Sequence, residues 1–288
     1  MPSQRQLKGR IRSVKSTKQI TKAMQMVAAS KMRRAQEAEQ ATLDYTRAAN
    51  ELLTYLASQG ETDDHPLFVI RKVQTRLLIV IASDKGLAGA YNSNVLKQYL
   101  TEVKADRSAG VKTLTITVGR KVSQFASRLK DVQVLASYDD LPDDLEGSEF
   151  HAILATAAQM YRDKDVDAVD VVYTEFVSSM VQTASLKRIL PAGFVTTEVT
   201  ESIRTAEYEP SVEAVRDGVA YRLVGAQIYQ AMLDARASEH SMRMIAMKNA
   251  TDNATDLIDD LTLAMNKARQ AAITQELAEI SGGAEAMK

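Results

Sequence analysis

No cysteine occurs among the 288 residues. That excludes disulfides, thiolate metal sites, cysteine nucleophiles and thiol redox switches together. A reducing cytosol fits such a chain. Tryptophan is absent too, and aromatic residues make up only 5%. No apolar run reaches the ~18 residues that a membrane-spanning helix needs. The start, MPSQRQLKGR, is basic but has no apolar core behind it, so it does not read as a secretory signal. An excess of one charge is missing as well: 36 Lys/Arg stand against 37 Asp/Glu, a net charge of −1. With 45% hydrophobic residues, that balance excludes disorder as the main state. The length suggests about two domains. What is abundant is alanine, 40 residues. Ala-rich, aromatic-poor chains lean towards long helices with thin interfaces.

Proline and glycine are also scarce, and their placement divides the chain. Neither occurs between Arg10 and Gln59, nor between Ala226 and Ser281, while Pro66, Pro142, Pro191 and Pro210 lie between those stretches. Helix interiors exclude proline and penalise glycine, so the spacing predicts two long terminal helices. The first should run from about Ser3, a candidate cap, to Ala57, roughly 80 Å at the helical rise. The second should start near Pro210 and stop at Gly282 and Gly283, roughly 105 Å. Helices of that length need a partner along them. Stepping by three or four residues from Val212 to Ala272 visits eighteen positions, of which fifteen are apolar or Tyr. That is a coiled-coil seam with one stutter near Leu233. In the first helix Leu7, Ile11 and Val14 form one stripe, Ile20, Met24 and Val27 another, and Tyr45, Ala49, Leu52 and Leu56 continue it.

The middle has a different period. Residues 76–82, 113–119, 131–138, 169–176 and 185–191 read as strands, with helical patterns at about 92–104, 120–129 and 148–162. Strand–helix alternation predicts an α/β domain with a mostly parallel sheet. The expected fold is therefore a long antiparallel coiled coil of N- and C-terminal helices with an inserted Rossmann-like α/β domain. The segments are a first helix in 1–66, the α/β domain in 67–208 and a second helix in 209–288. The second helix should outrun the first, so that Ile273, Leu277 and Ile280 project beyond the pair. Residues 1–34 carry ten Lys/Arg and no Asp or Glu, whereas residues 209–288 carry eight basic and twelve acidic side chains. Opposite signs favour antiparallel association modestly.

Few residues suggest chemistry. The basic first helix admits three readings: docking on an acidic protein surface, a solvated face, or phosphate binding. The stretch ITKAMQMVAASKM (20–32) has apolar residues all round the helix, which calls for enclosure by protein rather than contact along one edge. The loop SDKGLAGAYN (83–92) follows a strand and opens a helix, a position where α/β sheets bind ligands. It lacks both G-x-G-x-x-G and G-x-x-x-x-G-K-[ST], so a tight turn or a protein contact takes precedence over a nucleotide site. His65, His151 and His240 fall in different elements, and no metal-ligand spacing or G-x-S-x-G elbow occurs. The helix methionines, Met24, Met26, Met32, Met242, Met244, Met247 and Met265, read first as packing. Their flexible thioethers also suit a surface that meets several partners in turn.

Four segments closely resemble the gamma-subunit family of F-type ATP synthases. They are ITKAMQMVAASKMRRAQ (20–36), SDKGLAGAYN (83–92), RMIAMKNATDNA (243–254) and NKARQAAITQELAEISGGAEA (266–286). The resemblance covers both terminal helices and the first strand–loop of the middle domain; residues 105–205 match mainly in pattern. It implies the central stalk of a rotary motor. The coiled coil would stand inside the ring of alpha and beta subunits, with the α/β domain at the foot beside the epsilon subunit and the membrane c-ring. Proton or sodium flow would turn it. The implied partners are the alpha, beta and epsilon subunits and the c-ring, with one copy per complex. No nucleic acid, cofactor, metal, catalytic residue or direct membrane insertion is implied.

Residue by residue, the resemblance implies that Met24 and Arg243 lie near the acidic lever loops of the catalytic subunits. Lys85 would contact the same region, and Arg269 with Gln270 would engage a catch loop higher up. Ile273, Leu277 and Ile280 would form the apical bearing. Ala88 stands where relatives often carry Cys, and the chloroplast-type cysteine insert is missing. No transit peptide precedes the matching region, which favours a bacterial source and the cytoplasmic side of the cell membrane. Two other classes compete. A nucleic-acid-binding coiled-coil protein would explain Lys8 to Arg34 but not the ITQELAEI end. A nucleotide-binding enzyme would use the 83–92 loop without phosphate motifs.

Overall fold

The computed structural model describes residues 4–60, 62, 64–130, 132–142 and 147–286, without the side chains of 43–45, 279 and 282–286. In order they form α1 (Gln4–Ser58), β1 (Thr75–Ile81), α2 (Tyr91–Ala109), β2 (Lys112–Val118), α3 (Arg120–Ala126) and β3 (Gln133–Tyr138). They continue with α4 (Ser148–Arg162), β4 (Ala168–Phe176), β5 (Gln182–Leu190), α5 (Glu201–Arg204) and α6 (Val212–Ala286). Both terminal regions are helical, as expected from the missing proline and glycine. Ser3 lies outside the described residues. The Ser211 hydroxyl, not Pro210, marks the start of α6 by accepting the Ala214 N–H at 3.2 Å.

Several expected boundaries differ; α2, for one, runs on to Ala109 where the pattern stopped at about 104. Gly282 and Gly283 do not stop α6, which continues to Ala286. A helical glycine costs only about 1 kcal/mol relative to alanine, too little to end a helix without a residue in the left-handed conformation. Such a residue does end α2, at Gly110 with φ 71°. Helix α3 ends at Ala126, before the expected 129.

The chain divides into two compact units, residues 30–242 and residues 1–29 with 243–288. The larger unit is built on a five-stranded sheet of order β3-β2-β1-β4-β5. The first four strands run parallel and β5 runs antiparallel to β4. Strand β1 is central, and alternate residues serve opposite faces. Leu77, Ile79 and Ile81 join α4 and α6 in one core, while Leu78 and Val80 join α2 and α3 in the other. Cover on both faces explains why β1 reads as an unbroken apolar run.

The seam expected on α6 does not hold through this unit. Val212, Val215, Val219, Ala226 and Tyr229 are only half-buried. The buried apolar positions are Ala220, Leu223, Val224, Ile228, Ala231, Met232, Leu233, Ala235 and Ala237, of which only Leu233 and Ala237 lie on the expected seam. The sheet and α4 cover this stretch from other sides, so its buried face is wider than a two-helix stripe. Gly225 sits where α4 comes close: a Cβ there would lie 2.9 Å from Leu154 Cδ2.

In the smaller unit the pattern is narrower. On α1 the covered or half-covered residues include Leu7, Ile11, Val14, Lys18, Thr21, Gln25 and Ala28, at alternate spacings of four and three. On α6 they include Met247, Thr251, Ala254, Ile258, Leu261, Met265 and Ala268, at the same spacing. The two helices meet at Thr21 and Thr251, whose hydroxyls lie 2.7 Å apart. Every described residue from Arg269 to Ala278 is exposed.

Candidate functional site

The smaller unit offers a surface rather than a cavity. Thr21 is buried against α6, and Met24, about one turn further along α1, is half-buried. Around it Ile20, Met26 and Val27 are 60%, 59% and 57% exposed. The expectation that 20–32 needs enclosure therefore rests on apolar side chains that this chain leaves uncovered. Arg243 is half-buried on α6, in the same unit as Met24. Arg5, Lys8, Arg10, Arg12, Lys15 and Lys22 are exposed on α1, and Asp252, Asp256, Asp259 and Asp260 are exposed on α6. The unit thus presents a positive and a negative helix outward. Further along α6, Arg269 and Gln270 are exposed, followed by Ile273 (47%), Leu277 (60%) and Ile280 (69%).

Lys85 belongs to the larger unit, in the loop between β1 and α2, and is exposed. The loop is held from beneath. Asp84 Oδ1 accepts the N–H groups of Arg120 and Asp140, both at 2.9 Å, tying together the turns that follow β1, β2 and β3. Ser83 N–H donates to Asn92 Oδ1 at 3.1 Å, and its hydroxyl donates to the Lys85 carbonyl at 2.7 Å. Ala88 is buried and Leu87 is 64% exposed. Gly119, at φ 99°, lies against this loop, and a Cβ on it would sit 2.1 Å from the Ala82 carbonyl oxygen. Backbone polar groups here serve the loop's own shape, and the outward face is Lys85, Gly86 and Leu87. That geometry suits the turn-or-contact reading.

Sequence reasoning missed several polar residues that shape the larger unit. Arg76 is buried and donates to Asp106 (2.9 Å), Glu102 (3.1 Å) and Asp170, which also accepts from Arg188. Burial opposes the Arg76 charge, but Asp170 and Asp106 outweigh it and raise its pKa. A lone Arg at a strand start gives no signal of three partners far apart in sequence. His65 is 2% exposed: Nδ1 accepts the Leu67 N–H at 3.2 Å and Nε2 lies 3.2 Å from Asp217. His151 is exposed on α4 and His240 half-buried on α6. Among the described residues, no three His, Asp or Glu are grouped to hold a metal. No helix among them is long and apolar enough to cross a membrane.

The sequence profile described as ATP synthase matches residues 3–287. The ATP synthase gamma chain of Xylella fastidiosa (strain M12) is 39% identical over 288 residues, covering all of both chains. This chain belongs to the ATP synthase gamma chain family. The gamma chain of Heliobacterium modesticaldum (strain ATCC 51547 / Ice1) is also 39% identical, over 294 residues and all of both chains. Among solved structures, a chain of the Tetrahymena thermophila mitochondrial ATP synthase central stalk and c-ring is 25% identical with a TM-score of 0.59. That match covers 80% of this gamma chain and 99% of the Tetrahymena chain. A chain of the Euglena gracilis mitochondrial ATP synthase shares the fold, with a TM-score of 0.66 at 20% identity, over 99% of this chain and 94% of that one.

Proposed function

We propose that this gamma chain is the rotor shaft of an F-type ATP synthase. It couples ion flow through a c-ring to the catalytic ring of alpha and beta subunits and performs no catalysis itself. One observation carries the reading: the smaller unit pairs two helices along a narrow seam and leaves both a Met- and Ile-rich collar and an apolar tip uncovered. The four–three spacing on both helices, with Thr21 level with Thr251, supports an antiparallel coiled coil. In that register Met24 stands near Lys248, and Arg243 near Ala29, so the two lie about 8 Å apart along the axis at the helical rise.

Met24 and Arg243 then face the catalytic subunits' acidic loops, Lys85 adds a contact from the foot, and Arg269 with Gln270 engage higher up. Ile273, Leu277 and Ile280 turn in the ring as a bearing. A shaft must meet three equivalent subunits in turn without adhering to one, which favours small or adaptable side chains over deep anchors. It acts by touching each subunit state differently, the only way a partner shifts a conformational equilibrium. The sheet unit forms the foot, beside epsilon and the c-ring. The chain is held at the membrane by that ring, on the cytoplasmic side of a bacterial cell. Functionally, 1–66 and 209–288 supply the shaft and 67–208 the foot.

Purification with alpha and beta subunits tests this. One copy of the chain should co-purify with a hexameric ATPase. Pure chain should hydrolyse no ATP. Turnover by the pure chain that is lost on changing Gly86 or Gly89 would overturn the non-catalytic role. Salt-sensitive capture of RNA or DNA in place of the hexamer would overturn the shaft.

A further inference from the structure

Where α6 meets the β4–β5 hairpin, its buried face turns polar. Asp234, Ser238 and Ser241 follow one another at four and three residues and are 7%, 0% and 0% exposed. The Ser238 hydroxyl donates to the Thr174 carbonyl (3.2 Å) and the Ser241 hydroxyl to the Ser179 carbonyl (2.8 Å). The Gln182 amide reaches Ser241 Oγ at 3.2 Å. Two serines thus fasten the helix to β4 and the hairpin turn. Asp234 meets charge instead: Glu39 of α1, Glu175 of β4 and Lys187 of β5, with Tyr173 of β4 beside it. Lys187 pairs across the hairpin with Val171, which places it on the face that Val171, Tyr173 and Glu175 turn towards α6. With Asp234 ionised, three carboxylates would share one ammonium; Asp234 is buried, Glu39 and Lys187 are half-buried and Glu175 is exposed.

We propose that the Asp234 carboxyl is a proton-binding site that latches the β4–β5 hairpin onto α6. With the proton bound the hairpin is seated; with the proton lost, a buried carboxylate is held out of water beside Glu39 and Glu175, and loosening the hairpin rehydrates it. Burial first, then Glu39 and Glu175, push this carboxyl up to about 7, against the pull of Lys187. Burial also raises Glu39 and lowers Lys187. Tyr173 loses its proton only near 12 and takes no part.

The sign follows from linkage. Opening the hairpin returns Asp234 to water and to its ordinary 3.8. Between that value and about 7 the seated state holds one more proton than the open state. The opening equilibrium therefore rises about tenfold per pH unit across that window and levels above it. The latch is separate from the rotor reading, and its failure would leave that reading intact.

Amide hydrogen exchange of the full chain tests it, with peptides spanning 172–190 followed from pH 5.5 to 8.5 and corrected for the intrinsic rate. The expected opening constant climbs about tenfold per pH unit and breaks to a plateau near pH 7. Asp234→Asn should flatten the profile. Glu39→Gln should move the break to lower pH and Lys187→Met to higher pH. These two keep the test decisive should Asp234→Asn fail to fold. A flat profile in the parent chain, a break that survives Asp234→Asn, or breaks that ignore Glu39 and Lys187 would overturn the proposal.

Discussion

Ending the chain at Thr274 removes Leu277 and Ile280 but leaves the four–three seam, whose last half-covered position is Ala268. In the free chain Leu277 and Ile280 are 60% and 69% exposed, and every described residue from Arg269 to Ala278 is exposed. These positions rest on little but their own helix. The isolated chain should therefore lose under about 1 kcal/mol of unfolding free energy, and its urea midpoint should barely move. The cost appears in the complex. Complete burial of an aliphatic side chain is worth roughly 1.5–3 kcal/mol, and the ring would cover the remaining two-thirds of each. That gives about 2–4 kcal/mol for both at most, spread over a bearing and well short of what holds the shaft and foot. The truncated chain should assemble, hydrolyse ATP and rotate, with lower torque or a complex that dissociates sooner. The assay is ATP-driven rotation of the purified truncated complex. Full assembly with complete loss of rotation would refute the reasoning, because the tip would then transmit the torque. Failure to assemble would refute it differently, by making the tip the primary anchor.

Met24→Lys places an ammonium at the half-buried collar position; pairing with an acidic loop of one catalytic subunit should over-stabilise one rotor angle. Protons pumped per ATP should fall while assembly holds, and an unchanged ratio would count against the assignment of Met24. Gly119→Ala drives a Cβ into the Ala82 carbonyl at φ 99° and should cost roughly 3 kcal/mol or more in a urea titration; a loss under about 1 kcal/mol would contradict the close approach. His65 is held below its usual 6.5 by burial first and by Arg216 and Arg162, against Asp217. The folded state therefore binds fewer protons than the unfolded state, and this contribution to stability is complete above pH 6.5 and declines as pH falls below it. His65→Gln should remove that decline, and an unchanged urea-midpoint profile between pH 7 and 5 would argue against it.

The long helices, all five strands and the strand-to-helix loop were legible because local rules govern them. Absent proline and glycine mark helix interiors, and β-branched runs such as 76–82 mark strands. On α6 the four–three spacing was legible from Met247 to Ala268, where the covered and half-covered residues keep it. It misled between Val212 and Tyr229, because a sheet and α4 add cover that no single-helix period encodes. The proposed coupling positions came from resemblance, since Lys85 or Arg243 alone carries no pattern that separates a contact from a solvated charge. Polar residues working across the sequence stayed hidden. Arg76 finds Asp170 across 94 positions, and Asp234 draws its neighbours from α1, β4 and β5.

The chain has no cysteine, so a single introduced thiol gives a label at one position of this chain. Ser108→Cys lies on the exposed side of α2, where the native hydroxyl only returns to the Lys104 carbonyl. A bead attached there, on a complex immobilised through its alpha and beta subunits, reports the motion of the sheet unit directly. The account predicts stepwise rotation in one direction during ATP hydrolysis, stopping when ATP is removed. Sustained hydrolysis by the labelled complex with a bead that only fluctuates about one angle would contradict it.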